Sequence, residues 1–225
     1  MNFDSSILRA RRLRQPNAFG LIELMVVVAI IAVLSTLMMP FLQWARRLAE
    51  TSTCSSNMRQ LYFGLNSYAQ ENNGLLPLSL QPDPASGSSG SSVSWQVLIM
   101  RQLNVPFPNR GDKSIFICPS WKMTYPVPAY RTYALNLTGG SPTANPPRFF
   151  TLSAPSQTAL LVESRHEGSG AGYNALSGSI EGNGGKARLD ARHNDKMNLL
   201  TADGAVISLT TTDLSIDDLL NNIRK

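Results

Sequence analysis

Apolar residues follow one another from position 19 to position 39 with a single charged side chain among them, Glu23, and the run ends at Pro40. At about 1.5 Å rise per residue a helix of that length measures roughly 30 Å, the thickness of a bilayer core. The run is apolar on every face, which predicts a membrane span rather than the core helix of a soluble body. Beyond Pro40 the helical period persists but the faces differ. Leu48, Cys54, Met58, Leu61, Leu65 and Tyr68 recur at near-helical spacing, with Arg47, Glu50, Asn57, Gln60 and Gln70 between them. This predicts an amphipathic continuation to about Asn73, capped by Gly74. Pro40 removes a backbone donor, so a bend or local loosening is expected there.

After Leu76 and Pro77 the pattern breaks into short pieces. Residues 79–94 are rich in Ser, Gly and Pro, cannot offset their ordering entropy by burial, and predict an exposed flexible loop. A short helix fits 94–103 with Ser94 as its N-cap. Strand candidates follow at 115–118, 130–136, 158–163, 198–202 and 205–210. Between the last two, Asp203-Gly204 predicts a two-residue type I′ hairpin turn with positive φ at both positions. The end of the chain reads as a helix with Thr212 or Ser215 as N-cap, acids in its first turn, and Arg224 and Lys225 at its close.

The fold class that results is α+β: a long N-terminal helix, half transmembrane and half amphipathic, packed on a small antiparallel β-sheet domain. The organisation is a basic leader at 1–18, a transmembrane helix at 19–40, its amphipathic continuation at 41–74, and a globular body at 75–225 with flexible loops at 79–94 and 164–187.

Charge sharpens this picture. The 225 residues carry a formal +5, but Arg9, Arg11, Arg12 and Arg14 against Asp4 put +3 of it in the leader, leaving +2 for the rest. That residue of charge, with no later clustering of Lys and Arg among aromatics, excludes a nucleic-acid footprint. The leader arginines place the N-terminus in the cytoplasm by the positive-inside bias, and Arg46 and Arg47 beyond the span do not reverse it. The body is then expected outside the cytoplasmic membrane.

Glu23 is what a plain anchor does not explain. A carboxylate at membrane depth costs on the order of 2.5–3.5 kcal/mol near the centre of a span, so it calls for a partner. A cut between Ala18 and Phe19 creates one, because the new α-amino group at Phe19 is a cation that Glu23 of the same or a neighbouring chain can neutralise. A secretory signal peptide fits poorly, since its apolar run is roughly 7–15 residues and ends in an A-x-A-like site.

A short basic leader, a cut before Phe19, Glu23 at the fifth mature position, an apolar helix and Pro40 at the twenty-second together resemble the prepilin family of type IV pilins and type II secretion pseudopilins. The resemblance implies cleavage and N-methylation at Phe19 by a prepilin peptidase of the inner membrane, and Glu23-guided assembly with other pilin or pseudopilin subunits. It implies a structural subunit, not an enzyme. One position departs from the family pattern: Ala18 stands where Gly is strongly favoured. The alternative is a membrane-tethered extracytoplasmic binding module that does not polymerise.

A second resemblance lies further on. Nine residues separate His193 from Asp203-Gly204, which is similar to the H-x9-DG signature of a bacterial subgroup of prepilin-like proteins. Cys54 and Asn57 ahead of an aromatic-rich helix, and Cys118-Pro119, also resemble that subgroup. A His near an Asp suggests an oriented general base, yet Asp203 is accounted for by its turn, and His193 is expected to fasten the approach to that hairpin. No nucleophile motif accompanies them, and no catalytic residue or cofactor is expected. His166, Glu163 and Glu167 ahead of the Gly-rich loop offer ligands together with Asp190 or Asp195, and the resemblance to pseudopilins, some of which bind calcium in a C-terminal loop, brings calcium into question. EF-hand spacing is absent and the two His and two Cys have no zinc spacing, so no metal is expected. Cys54 and Cys118 leave two readings open. Either they form a disulfide closing a 65-residue loop, worth about 4 kcal/mol in the chain-entropy model, or they are two separate buried thiols.

Overall fold

The computed structural model describes residues 20–86, 91–125, 128–138, 144–165, 175–178 and 185–224. The chain falls into two compact units, Met1–Trp44 and Ala45–Lys225.

A single helix, α1 (Leu21–Glu71), runs for 51 residues, about 76 Å at helical rise. It continues through Pro40, which sits inside it and gives up one intrahelical hydrogen bond. Every residue from 21 to 44 is exposed. Here is the one helix among the described residues long and apolar enough to cross a membrane. Its second half buries Cys54, Asn57, Met58, Leu61, Gly64, Leu65, Tyr68 and Ala69, the stripe that the spacing predicts. Leu48 is a correction, since it is 57% exposed and stands outside the stripe. The helix ends at Glu71, and its cap uses two left-handed residues: Asn73, at a φ of +54°, turns the Gly74 N–H back to Ala69 O at 2.8 Å, and Gly74 follows at +76°.

The body is built on a five-stranded sheet of order β5-β3-β4-β6-β7. The strands are β3 (Tyr133–Thr138), β4 (Ala159–Glu163), β5 (Ala175–Gly178), β6 (Met197–Thr201) and β7 (Val206–Leu209). All neighbours are antiparallel except β3 and β5, which run parallel. The architecture is α+β and pilin-like, with a mixed rather than purely antiparallel sheet. Alternation along the strands separates two cores. Tyr133, Leu135, Leu137, Leu161 and Leu200 join the apolar stripe of α1 and α2 (Trp95–Leu103). Ala134, Val162, Leu176, Leu199 and Met197 pack with Ile216, Leu219 and Leu220 of α4 (Ser215–Asn221). Both faces are covered, so β3 and β4 are buried along their whole length.

Several local expectations change. Strand β5 has no counterpart among the predicted strands, and residues 115–118 form turns instead of a strand. Asn57 on α1 donates to Ile117 O at 3.1 Å and Thr132 N donates to Phe116 O at 2.9 Å, so this segment is held by isolated bonds rather than by a ladder. The ends of the predicted flexible loop pair with each other as β1 (Leu80–Pro82) and β2 (Ser92–Ser94), and Arg101 grips Asp83 through both carboxylate oxygens. Ser94 stands at the N-cap position of α2 without a side-chain capping bond. At α4 neither Thr212 nor Ser215 caps; Asp213 does, accepting from Ser215 N at 2.9 Å. A four-residue helix, α3 (Trp121–Thr124), completes the set.

The two hairpin turns exchange roles. At Asp203-Gly204 only Gly204 has positive φ, +88°, and the loop spans three residues, closed by Thr201 N donating to Ala205 O. The tight turn with two positive φ values lies instead at Asn194 (52°) and Asp195 (61°), between the paired residues His193 and Lys196.

Candidate functional site

At the start of α1, Gly20 N donates to Glu23 Oε2 at 3.0 Å while Gly20 O accepts from Glu23 N. This is half of a capping box, so the Glu23 carboxylate satisfies a helix-end donor. Ala18 and Phe19 lie outside the described residues, as do His166 and Glu167.

Inside the body, four ionisable side chains from four segments converge. Alternation along β4 turns Glu163 to the same face as Leu161, towards α1, where Cys54 lies on the buried stripe. Asn57, one helical turn further along, holds the 114–117 backbone and so sets the position of Cys118. Cys118 N donates to Thr132 Oγ1 at 2.7 Å. The tight turn at Asn194 and Asp195 presents His193. The two Sγ atoms, a Glu163 oxygen and a His193 ring nitrogen all lie within 4.8 Å of one another, and all four residues are buried.

The hydrogen bonds are directional. Cys54 Sγ donates to Glu163 Oε1 at 2.7 Å, and His193 Nε2 stands 2.7 Å from the same oxygen. Glu163 Oε2 is occupied by the Asn198 N–H at 2.8 Å. Tyr133 Oη lies 3.1 Å from Cys54 Sγ, and Cys118 Sγ lies 3.4 Å from His193 Nε2. Thr51 fixes the histidine: its hydroxyl donates to Arg47 O at 2.9 Å, so the oxygen, 3.0 Å from His193 Nδ1, accepts from an Nδ1–H. Nε2 is thereby the nitrogen left facing the cluster.

The charges follow from these contacts. Burial pushes the Cys54 thiol well up, and Cys118 and Glu163 add to it. Cys118 is pushed up by burial too, but bonds with Cys54 and His193 and the Arg192 charge hold it at about 7. Burial works against ionised Glu163, yet the His193 bond and Arg192 keep it below the usual carboxylate value. His193 is opposed by burial and raised to about 9 by Cys118 and Glu163. Arg192 pairs with Asp190 at 2.8 Å and lies over the Trp121 ring.

The H-x9-DG residues are not brought together. His193 meets Glu163, Cys118 and Thr51, whereas Asp203 Oδ1 bonds Thr201 Oγ1 and Ala205 N within its own turn. His193 lies on the approach to the hairpin, bridged to Lys196 just ahead of β6, and its carboxylate partner is Glu163, not Asp203. Glu163 also holds the backbone N–H of Asn198. Gly204 is instead covered by Tyr62, whose ring atoms come within 3.0–3.2 Å of where a Cβ would stand. Cys54 and Cys118 are adjacent free thiols. Asp190 serves Arg192, and Asp195 its turn. Sequence reasoning missed the convergence because no short spacing announces it; the one signal was that Cys54, Asn57, Cys118 and His193 all belong to the second resemblance.

Comparison with known families matches residues 13–39 to the prokaryotic N-terminal methylation motif. The match takes in the predicted cleavage point, Glu23 and most of the apolar run. No curated protein and no solved structure matched the chain.

Proposed function

We propose that this chain is a prepilin-type structural subunit: cut between Ala18 and Phe19 by a prepilin peptidase, N-methylated at Phe19, and assembled through α1 with other pilin or pseudopilin subunits. The supporting observation is the methylation motif at 13–39, which takes in the start of a helix whose residues 21–44 are all exposed. A helical surface that apolar is stable only against lipid or other apolar helices. In this reading the span sits in the bacterial inner membrane with its basic end in the cytoplasm, and the body is extracytoplasmic. The assembly is a type II secretion or type IV pilus-like apparatus, and the chain works by packing rather than by turnover.

Glu23 has two tasks in succession. Before cleavage its carboxylate caps the helix through Gly20 N. After cleavage the α-amino group at Phe19 offers it a full positive charge, and pairing with a neighbour's terminus sets the axial register. The experiment is mass spectrometry of the protein from its host, with crosslinking of wild type and Glu23→Ala in the membrane. The expected result is a chain beginning at methylated Phe19, with crosslinked ladders lost in Glu23→Ala. An intact leader, or ladders unchanged by the substitution, would leave a tethered module that does not polymerise.

A further inference from the structure

We propose that Cys54, Cys118, Glu163 and His193 form a structural zinc site that fastens the second half of α1 to the sheet. The inference stands apart from the assembly reading and concerns the body alone.

The donor set is two sulfurs, one imidazole nitrogen and one carboxylate oxygen, all within 4.8 Å of one another. Around a tetrahedral zinc ion, with bonds of about 2.3 Å to sulfur and 2.0–2.2 Å to nitrogen and oxygen, such atoms stand roughly 3.3–3.8 Å apart. The present separations, 2.7 Å for Cys54 Sγ to Glu163 Oε1 and for His193 Nε2 to Glu163 Oε1 and 3.4 Å for Cys118 Sγ to His193 Nε2, run from below that range to its lower end, and no pair is beyond 4.8 Å. Side-chain shifts of less than about 1 Å admit the ion. Thiolate and imidazole select zinc over the hard cations calcium and magnesium, which take oxygen ligands.

A second layer of contacts holds each ligand with one atom free. His193 donates from Nδ1 to Thr51, leaving the Nε2 lone pair once its proton is lost. Glu163 Oε2 is taken by Asn198 N, leaving Oε1. Cys54 Sγ has the Tyr133 hydroxyl beside it, and Cys118 is anchored through its own backbone N–H to Thr132. Outer contacts of this kind orient ligands in protein metal sites. When zinc enters, the two thiol protons and the Nε2 proton pass to solvent, and the four ligands contribute three negative charges against the ion's two positive ones. Arg192, with a fully buried side chain, places a positive charge that acts on Glu163 and Cys118 beside this surplus and shares it with Asp190.

A disulfide is the competing use of the two sulfurs. It would take the Cys54 proton that Glu163 Oε1 accepts, and it gives no role to a carboxylate and an imidazole aimed at the same point. A reactive thiol is disfavoured by burial, since Cys54 and Cys118 are 0% exposed and His193 is 8% exposed.

The test uses the full chain purified in detergent. Elemental analysis after zinc loading and buffer exchange should give one zinc per chain. Cobalt replacement should give the visible bands of a tetrahedral ion with a thiolate-to-metal charge-transfer band. Chelation should lower the melting temperature, with recovery on adding zinc but not calcium. Cys118→Ser should remove much of the charge-transfer intensity, and Tyr133→Phe or Thr51→Ala should weaken zinc binding roughly tenfold while leaving circular dichroism unchanged. Substoichiometric zinc in the wild type, or a chain lighter by two hydrogens with both thiols blocked, would overturn the proposal whatever the variants do.

Discussion

Glu163 Oε1 lies 2.7 Å from His193 Nε2, joining the central strand of the sheet to a turn 30 residues later, in a setting where both side chains are almost fully buried. Each keeps the other charged. Burial alone would neutralise both, and the pairing reverses that for Glu163 and His193 alike.

Removing one partner leaves the other as an uncompensated buried charge. Glu163→Ala, measured by denaturant unfolding with chelator present so that the protein's own pair is what is lost, should destabilise the body by about 3–5 kcal/mol. A loss under about 1 kcal/mol would mean that the pair is dispensable.

Asn57 places Cys118 through the backbone of the residue before it. Its amide donates to Ile117 O and, at 3.5 Å, to Ser114 O. Asn57→Ala should cost roughly 1–3 kcal/mol, the range for orphaning a buried acceptor. The more specific readout is thiol labelling: Cys118, fully buried in the native chain, should react faster with a thiol reagent in the variant, and Cys54 should not.

Gly204 has a φ of +88° under the Tyr62 ring. Any Cβ pays the left-handed cost of about 1–2 kcal/mol and also meets the ring. Gly204→Ala should therefore lower the unfolding midpoint. Pairing it with Tyr62→Ala should recover the steric part and leave the backbone part, a difference that a double-mutant cycle measures.

Asp83 reports on the strand pair ahead of α2. Hydrogen bonds from Arg101 and from Ala85 N lower its pKa to about 2. Because the folded value lies below the unfolded one, near 4, the link contributes above pH 4 and is lost as pH falls towards 2. An NMR titration of the Asp83 carboxyl should give a midpoint near 2 in the wild type and a higher one in Arg101→Gln, still held below the ordinary value by the Ala85 N–H. The pair is exposed, so global stability should change little.

How far the chain could be read in advance depends on the range of the interactions. The apolar run, the Gly74 cap, α2 and four of the five sheet strands follow from periodicities and cap chemistry that act within a few residues. Residues 115–118 looked like a strand because Ile-Phe-Ile suits one, yet tertiary contacts fold them into turns under Asn57. Strand β5 was missed because Ala175–Gly178 has weak strand propensity and is ordered by parallel pairing with β3. The tight turn went to Asn194-Asp195 rather than Asp203-Gly204 because Asn and Asp tolerate left-handed backbone almost as Gly does.

The sequence by itself determined the N-terminal half: the uninterrupted apolar run with one acid, the basic flank and the helix that continues past Pro40, since length and hydrophobicity are properties of a local stretch. Only the tertiary structure decided what His193, Cys54, Cys118 and Glu163 are for. Cys54 and Glu163 are 109 residues apart, and Cys118 and His193 are 75 apart. No local pattern encodes their meeting. It is set by β4 alternation, the packed face of α1 and the Asn57 contact, which together bring four distant side chains to one buried point.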